Sequence, residues 1–271
     1  MTGFIANARM YAVVPEAEAA WRELIERVAA EAQVTLDYLP YPAPQPLEHL
    51  WRRPDLGAVQ MCGYPIALGI ADVVPLAAPI PDLDWAGDRA VYRSDLIVRA
   101  DAKFCTLADT FAGTLGWTVE HSHSGFNALR HHLLRHRTPD RLGVYARVVG
   151  NLVTARRILD SVLDGTIDIG PLDAFWHALI AKYRPEMLAG VRVLESTDLA
   201  PMPAFVAAPA LPAESVARLR AAFAAASQQP WFAPLGKALI VRGFAPVERS
   251  DFSTTLAWDR DAKAQGYPVP A

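Results

Sequence analysis

The segment Trp117-Thr118-Val119-Glu120-His121-Ser122-His123-Ser124-Gly125-Phe126-Asn127 passes from an apolar, strand-like run through small polar residues into a helix. Phe126, Leu129, Leu133 and Leu134 repeat at helical spacing on one face, and Arg130, His131, Arg135 and His136 are assigned to the other. Helix formation therefore starts close to Ser124. A helix start exposes backbone N–H groups without intrahelical partners and carries roughly half a positive charge. Hydroxyls at Ser122 and Ser124 add donors, and Gly125 lets a ligand approach the backbone closely. The chemistry this favours is the holding of an oxyanion; the alternative role for either serine is to cap the helix.

Other chemistry-bearing patterns are weaker. His132 and His136 stand four apart and could in principle share a metal, but no Glu follows His132 directly and no third ligand is evident. Arg130, Arg135 and Arg137 would repel a cation, so a solvated helix face is expected there and no metal. A serine-hydrolase elbow needs a glycine two residues before the nucleophile, where this segment has Glu120 or Ser122. Neither a Walker loop nor a dinucleotide fingerprint occurs, so no cofactor is expected. The two cysteines, Cys62 and Cys105, are too few for a disulfide framework or a thiolate metal site and are expected to be free and buried.

A chain of 271 residues has room for one large domain or two lobes. With 52% hydrophobic and 20% charged residues it reads as globular, and a net charge of −3 without a basic cluster argues against nucleic acid or an anionic membrane surface as partner. No apolar run approaches the roughly 18 residues needed to span a bilayer, so no membrane insertion is expected. The first residues lack the basic leader, apolar core and cleavage site of a signal peptide. The protein is thus expected in the cytoplasm if Met1 is the native start, or beyond the membrane if a leader has been removed.

The elements that must carry these residues alternate between strand and helix. Strands are expected at 4–14, 34–39, 56–61, 90–98, before the serine-rich junction, at 166–169 and across the Pro-punctuated segment 201–209. Helices are expected from Pro15, at 47–53, around 107–113, over 152–163 up to Gly165, after Gly170-Pro171-Leu172-Asp173, and at 214–228 and 251–264. This order predicts α/β architecture with mainly parallel sheets.

The order of pieces resembles the phosphate/phosphonate-type solute-binding proteins of ABC transporters. The resemblance rests on Tyr92-x-Ser94-x-Leu96-Ile97-Val98-Arg99-Ala100-Asp101, Ser122-His123-Ser124-Gly125, Gly150 followed by Asp164-Gly165-x-Ile167-Asp168-Ile169-x-x-Leu172-Asp173, and Pro201-x-Pro203 with its strand. It implies a type II periplasmic-binding fold: residues 1–96 and 203–271 form one lobe, 97–202 the other, and the ligand cleft lies between them. It further implies that no chemistry is performed. The expected partners are a small anionic or zwitterionic ligand and an ABC permease, with the protein a monomer or weak dimer. In the family a Ser-Thr-Ser-Gly turn wraps the ligand oxygens; here His123 replaces the middle hydroxyl, and Gly150-Asn151 stands where Gly-His is common. Both departures change the number and charge of the oxyanion donors and argue against a simple phosphonate, and Asp173, which would repel a bare dianion, extends the expected ligands to zwitterions. By the same comparison Tyr11, Tyr64 and Tyr92 line the cleft from the first lobe, and Asp173 faces them from the second. Each has a plainer alternative, packing for a tyrosine and helix capping for Asp173. The same architecture also serves enzymes that make thiamine's pyrimidine or dehydrate chorismate, and a cytoplasmic ligand sensor is a further alternative.

Overall fold

The computed structural model describes residues 3–271. They divide into two compact units, the first made of residues up to Val91 and Pro201–Ser253, the second of Tyr92–Ala200 and Thr254–Ala271.

In the first unit a six-stranded sheet runs in the order Val241–Pro246, Val74–Pro81, Ala204–Ala207, Leu56–Met61, Phe4–Asn7, Leu36–Tyr38. Phe4–Asn7 is parallel to both neighbours, while Ala204–Ala207 and Val241–Pro246 run antiparallel to theirs. Helix Pro15–Ala32 starts with proline in its first turn and buries Trp21, Leu24, Ile25 and Val28, which recur at helical spacing, together with Ala17. Trp21 meets Phe205 edge-on at 5.8 Å, and Phe205 and Phe223 stack at 5.0 Å. Each such buried side chain contributes about 1.5–3 kcal/mol. The first strand ends at Asn7, seven residues earlier than its apolar character predicts. Asn7 is buried, and its Oδ1 accepts from the Arg9 N–H while its Nδ2 donates to the Leu39 carbonyl, which turns the chain.

The second unit holds a five-stranded sheet in the order Val191–Ser196, Ser94–Arg99, Ile169–Asp173, Thr114–Gly116, Arg147–Val149. Thr114–Gly116 is parallel to both neighbours and Ser94–Arg99 antiparallel to both of its own. Alternation along Ser94–Arg99 divides the core. Leu96 and Val98 pack with Trp117, Phe126, Leu129 and Leu133, and Ile97 packs on the other face with Ile158, Leu159 and Val162.

Two local expectations shift. The long strand over 90–98 is broken at Arg93, whose carbonyl accepts from the Ala174 N–H. Gly165 ends its helix at φ 77°, but the next strand is Ile169–Asp173 rather than 166–169, because residues 164–168 are held as a turn. There the Thr166 N–H donates to Asp164 and the Thr114 N–H to Asp168. Pro171 is tolerated in a central strand because pairing with Thr114–Gly116 is confined to Leu115↔Ile169.

The chain crosses between units near residues 91 and 200, earlier than the expected 96 and 202 at both crossings. It crosses a third time after Ser253, so residues 254–271 belong to the second unit and not to the first-lobe segment 203–271. Arg130 explains this: it pairs with Asp259 and donates to the Pro268 carbonyl from a position 1% exposed. Arg130 is therefore not on the outer helix face. His132 is not solvated either; it is 2% exposed, with Nε2 2.9 Å from Glu195 Oε1. Cys62 is buried and Cys105 exposed, both as thiols. Among the described residues no helix is long and apolar enough to cross a membrane.

Gln60 is an isolated misfit in the first core. It is 1% exposed, pairs in register with Phe205, and neither side-chain polar atom has a hydrogen-bond partner among the described residues. Gln60→Met should therefore raise unfolding stability by about 1–2 kcal/mol in urea titrations, since an unsatisfied buried amide costs about that much. A loss of stability would show that the amide is satisfied.

Candidate functional site

Parallel strands that end together bring their following loops together, and open α/β sheets place ligands there. In the second unit the serine-rich loop follows Thr114–Gly116, Gly150-Asn151 follows Arg147–Val149, and Asp173 is the last residue of Ile169–Asp173. Ser94, which pairs with Asp173 in register, starts the antiparallel neighbour at this same end. Ser122–Gly125, Asn151 and Asp173 thus share one end of one sheet.

Backbone contacts lock the loops to each other. The Trp117 N–H donates to the Val149 carbonyl and the Leu152 N–H to the Trp117 carbonyl, both at 3.1 Å. The Thr118 N–H reaches the Gly125 carbonyl at 3.1 Å, and Ser94 Oγ donates to the Ser124 carbonyl at 2.8 Å. A Cβ on Gly125 would stand 2.0 Å from Thr118 Oγ1, and one on Gly150 2.2 Å from the Trp117 ring, so only glycine allows either approach.

Ser122 is the N-cap, its Oγ accepting from the Gly125 N–H at 3.0 Å. The capping role is real, and the accepting oxygen still has a proton to donate. The helix opens with a wide turn over His123–Asn127, closed by the Asn127 N–H on the Ser122 carbonyl at 3.0 Å. This width puts one more N–H ahead of the first ladder bond than an α-turn would. Ser124 lies half-buried on this turn. Asn151 is exposed at φ 56°, and Val153 at φ 66° adopts a conformation that β-branched residues rarely take. Asp173 also caps a helix: its Oδ1 accepts from the N–H groups of Phe175 at 2.9 Å and Trp176 at 3.1 Å.

His123 is wholly inside this unit. Its ring lies 5.2 Å from that of Trp258, nearly parallel, and 5.9 Å from that of Tyr92. Burial pushes its pKa down to about 3, helped by the nearby His131. The loop is therefore neutral at its centre, and the attraction it offers an anion comes from N–H and O–H dipoles.

The tyrosines divide differently from the expectation. Tyr11 follows Phe4–Asn7 and Tyr64 follows Leu56–Met61, the ends of two paired parallel strands in the first unit, with exposures of 1% and 4%. Tyr92 belongs to the second unit, where it packs against His123, and is not a first-lobe residue. Sequence reasoning missed Ser94 and Thr118 as loop anchors, and Asn127, Arg130, Trp258 and Asp259 behind the loop. Arg130 had a signal: it lies four residues after Phe126 and three before Leu133, inside the apolar stripe.

On the strand Ser94–Arg99, Asp95 accepts from His177 Nδ1 and Ser196 Oγ, both at 2.8 Å. The serine donates to the carboxylate and not to the histidine, so this cluster lacks the nucleophile–base contact of covalent catalysis. No group of three or more His, Cys, Asp or Glu among the described residues is arranged to hold a metal.

A family model described as ABC transporter, phosphonate, periplasmic substrate-binding protein matches residues 13–252. Among solved structures, the binding-protein component of an ABC phosphonate transporter from Pseudomonas aeruginosa is similar with TM-score 0.79 and 14% identity, over 98% of this chain and 88% of that one. PhnD1 of Prochlorococcus marinus, solved with methylphosphonate, gives 0.77 and 13% over 96% and 98%. The aliphatic sulphonate-binding protein SsuA of Escherichia coli gives 0.58 and 14% over 99% and 90%. No curated protein matches the sequence. The fold is the two-lobed type II periplasmic-binding fold.

Two outcomes follow from this geometry. Gly125→Ala should lower stability by about 1–3 kcal/mol through overpacking against Thr118, read by urea unfolding; an unchanged midpoint would refute the close approach. For His123, the unfolded ring binds a proton below about pH 6.5 whereas the folded ring does not until about pH 3, so stability falls as pH falls through that window. Relative to His123→Phe, the parent should lose about 2 kcal/mol between pH 6.5 and 5, at about 1.4 kcal/mol per pH unit. A pH-independent difference would contradict a buried neutral ring.

Proposed function

The chain belongs to the phosphonate-binding family of periplasmic substrate-binding proteins of ABC transporters, and from that premise we propose that it captures a small oxyanion-bearing ligand and delivers it unchanged to a permease. The observation that carries the reading is the turn at Ser122–Gly125: a capped, widened helix start fixed on both sides by Thr118 and Ser94. Such a start presents N–H dipoles to an anion without moving when it arrives.

Charge narrows the ligand. With His123 neutral the seat supplies no cation, and Asp173 brings a carboxylate to the same sheet end. A like charge at ~4 Å costs about 4 kcal/mol at an effective dielectric near 20. A bare dianion is therefore disfavoured beside Asp173, whereas a protonated oxyanion or an ammonium group on the ligand is favoured. We infer a ligand with an oxyanion at one end and a donor or cation at the other, with the oxyanion on Ser122–Gly125 and the second group toward Asp173. Asn151, on the neighbouring loop, is a further contact in this reading, as are Tyr11, Tyr64 and Tyr92. His123 acts from behind the loop.

Asp173→Asn separates the charge from the cap, because asparagine caps helices about as well. Calorimetry should show 2-aminoethylphosphonate binding weakened about tenfold or more, equal to 1.4 kcal/mol, while inorganic phosphate binds unchanged or tighter. Equal effects on both ligands, or none, would remove Asp173 from the site. Tyr11→Phe and Tyr64→Phe should each weaken binding by about three- to tenfold, the range of one hydrogen bond. Parent-like affinity in both would leave these tyrosines as packing residues.

A further inference from the structure

Asn127 lies one helical turn beyond His123 and is fully buried. Its Oδ1 accepts from Arg130 Nη2 at 2.7 Å, and its Nδ2 donates to the Thr255 carbonyl at 2.8 Å. A guanidinium can only donate and a carbonyl can only accept, so this amide has one admissible orientation. The second hydrogen of the same Nδ2 faces His123 Nδ1 at 3.3 Å. Nδ1 must then be the accepting, unprotonated nitrogen, and a neutral imidazole carries its proton on the other one.

The orientation is enforced from further back. Arg130 is held by Asp259 and by the Pro268 carbonyl, and Asp259 is held in turn by Lys263 Nζ at 2.8 Å. The ring itself is wedged by Trp258, whose own ring is stacked at 4.6 Å and 4° on His131. Thr255, Trp258, Asp259 and Lys263 all come from the helix Ser253–Ala264, more than a hundred residues along the chain from the loop they support.

We propose that a relay from Asp259 and Thr255 through Arg130 and Asn127 holds His123 as its Nε2–H tautomer and thereby sets the register of the anion-binding turn. Asn127, Arg130, Asp259 and Trp258 are positioning residues in this scheme. The C-terminal helix is then part of the binding apparatus. The ring at the centre of the loop is fixed as a neutral donor at Nε2. The binding consequence rests on the oxyanion reading above; the tautomer does not.

The test uses the full chain labelled with ¹⁵N-histidine. Long-range ¹H–¹⁵N spectra of the ligand-free parent at pH 7 should show His123 with a bare Nδ1 and a protonated Nε2; the opposite tautomer overturns the relay with no variant needed. Asn127→Asp keeps the shape but cannot donate to Nδ1, so in that variant His123 should gain a proton at Nδ1. Methylphosphonate affinity should fall at least about tenfold. A switched tautomer with parent-like affinity overturns the link to binding. A parent that shows the Nε2–H tautomer and binds no oxyanion refutes the anion-seat reading and leaves the relay standing.

Discussion

The contact on which the second unit depends is the buried pair between Arg130 and Asp259. A guanidinium inside an apolar helix face is costly unless its donors are met, and here Asp259, Asn127 and the Pro268 carbonyl meet them. Satisfying it requires the C-terminal segment to leave the first unit and pack behind the loop. The same packing delivers Trp258 to His123 and the Thr255 carbonyl to Asn127. One charged residue in an apolar stripe therefore decides where a helix docks, how an amide is turned and which way an imidazole faces. Stability alone does not require this arrangement, because well-packed apolar residues could serve as well.

Seen from the ligand side, the loop combines precision with electrical neutrality. Ser122 spends its acceptor on the Gly125 N–H, and Thr118 and Ser94 fix the carbonyls of Gly125 and Ser124. In the proposed reading, what remains for an anion is a set of oriented dipoles on a rigid frame, which binds without reorganisation. Burial keeps His123 from adding a charge, and Asp173 adds one of the opposite sign to a cation. In the proposed reading this balance selects by charge as well as by shape, and the glycines at 125 and 150 maintain it by letting the loops close on Thr118 and Trp117.

Much of this was legible in the residues. The helix start near Ser124, the polar loop that ends at Asp173 and the α/β alternation follow from periodicity and turn chemistry that act over a few residues, whereas the place of Asn151 is implied by the family resemblance alone. The capping roles of Ser122 and Asp173 were also open as alternatives. Errors arose where distant chain segments decide. Arg130 and His132 were assigned to solvent because their polarity was weighed above their place in the helix, and their partners Asp259 and Glu195 lie far along the chain. The tail was assigned to the first lobe because nothing local marks Trp258 as a neighbour of His123. The strand now seen at Ile169–Asp173 was read as a turn because its Gly-Pro pair usually marks one, and pairing to Ser94–Arg99 overrides that preference.

The most direct test of the central claim is a ¹H–¹⁵N titration of the intact protein with methylphosphonate. The account predicts that the amide protons of His123, Ser124 and their neighbours in the Ser122–Gly125 turn move downfield in saturable fashion, as donors gaining a charged acceptor do. Saturable binding with these amides unmoved, and shifts confined to another part of the chain, would contradict it.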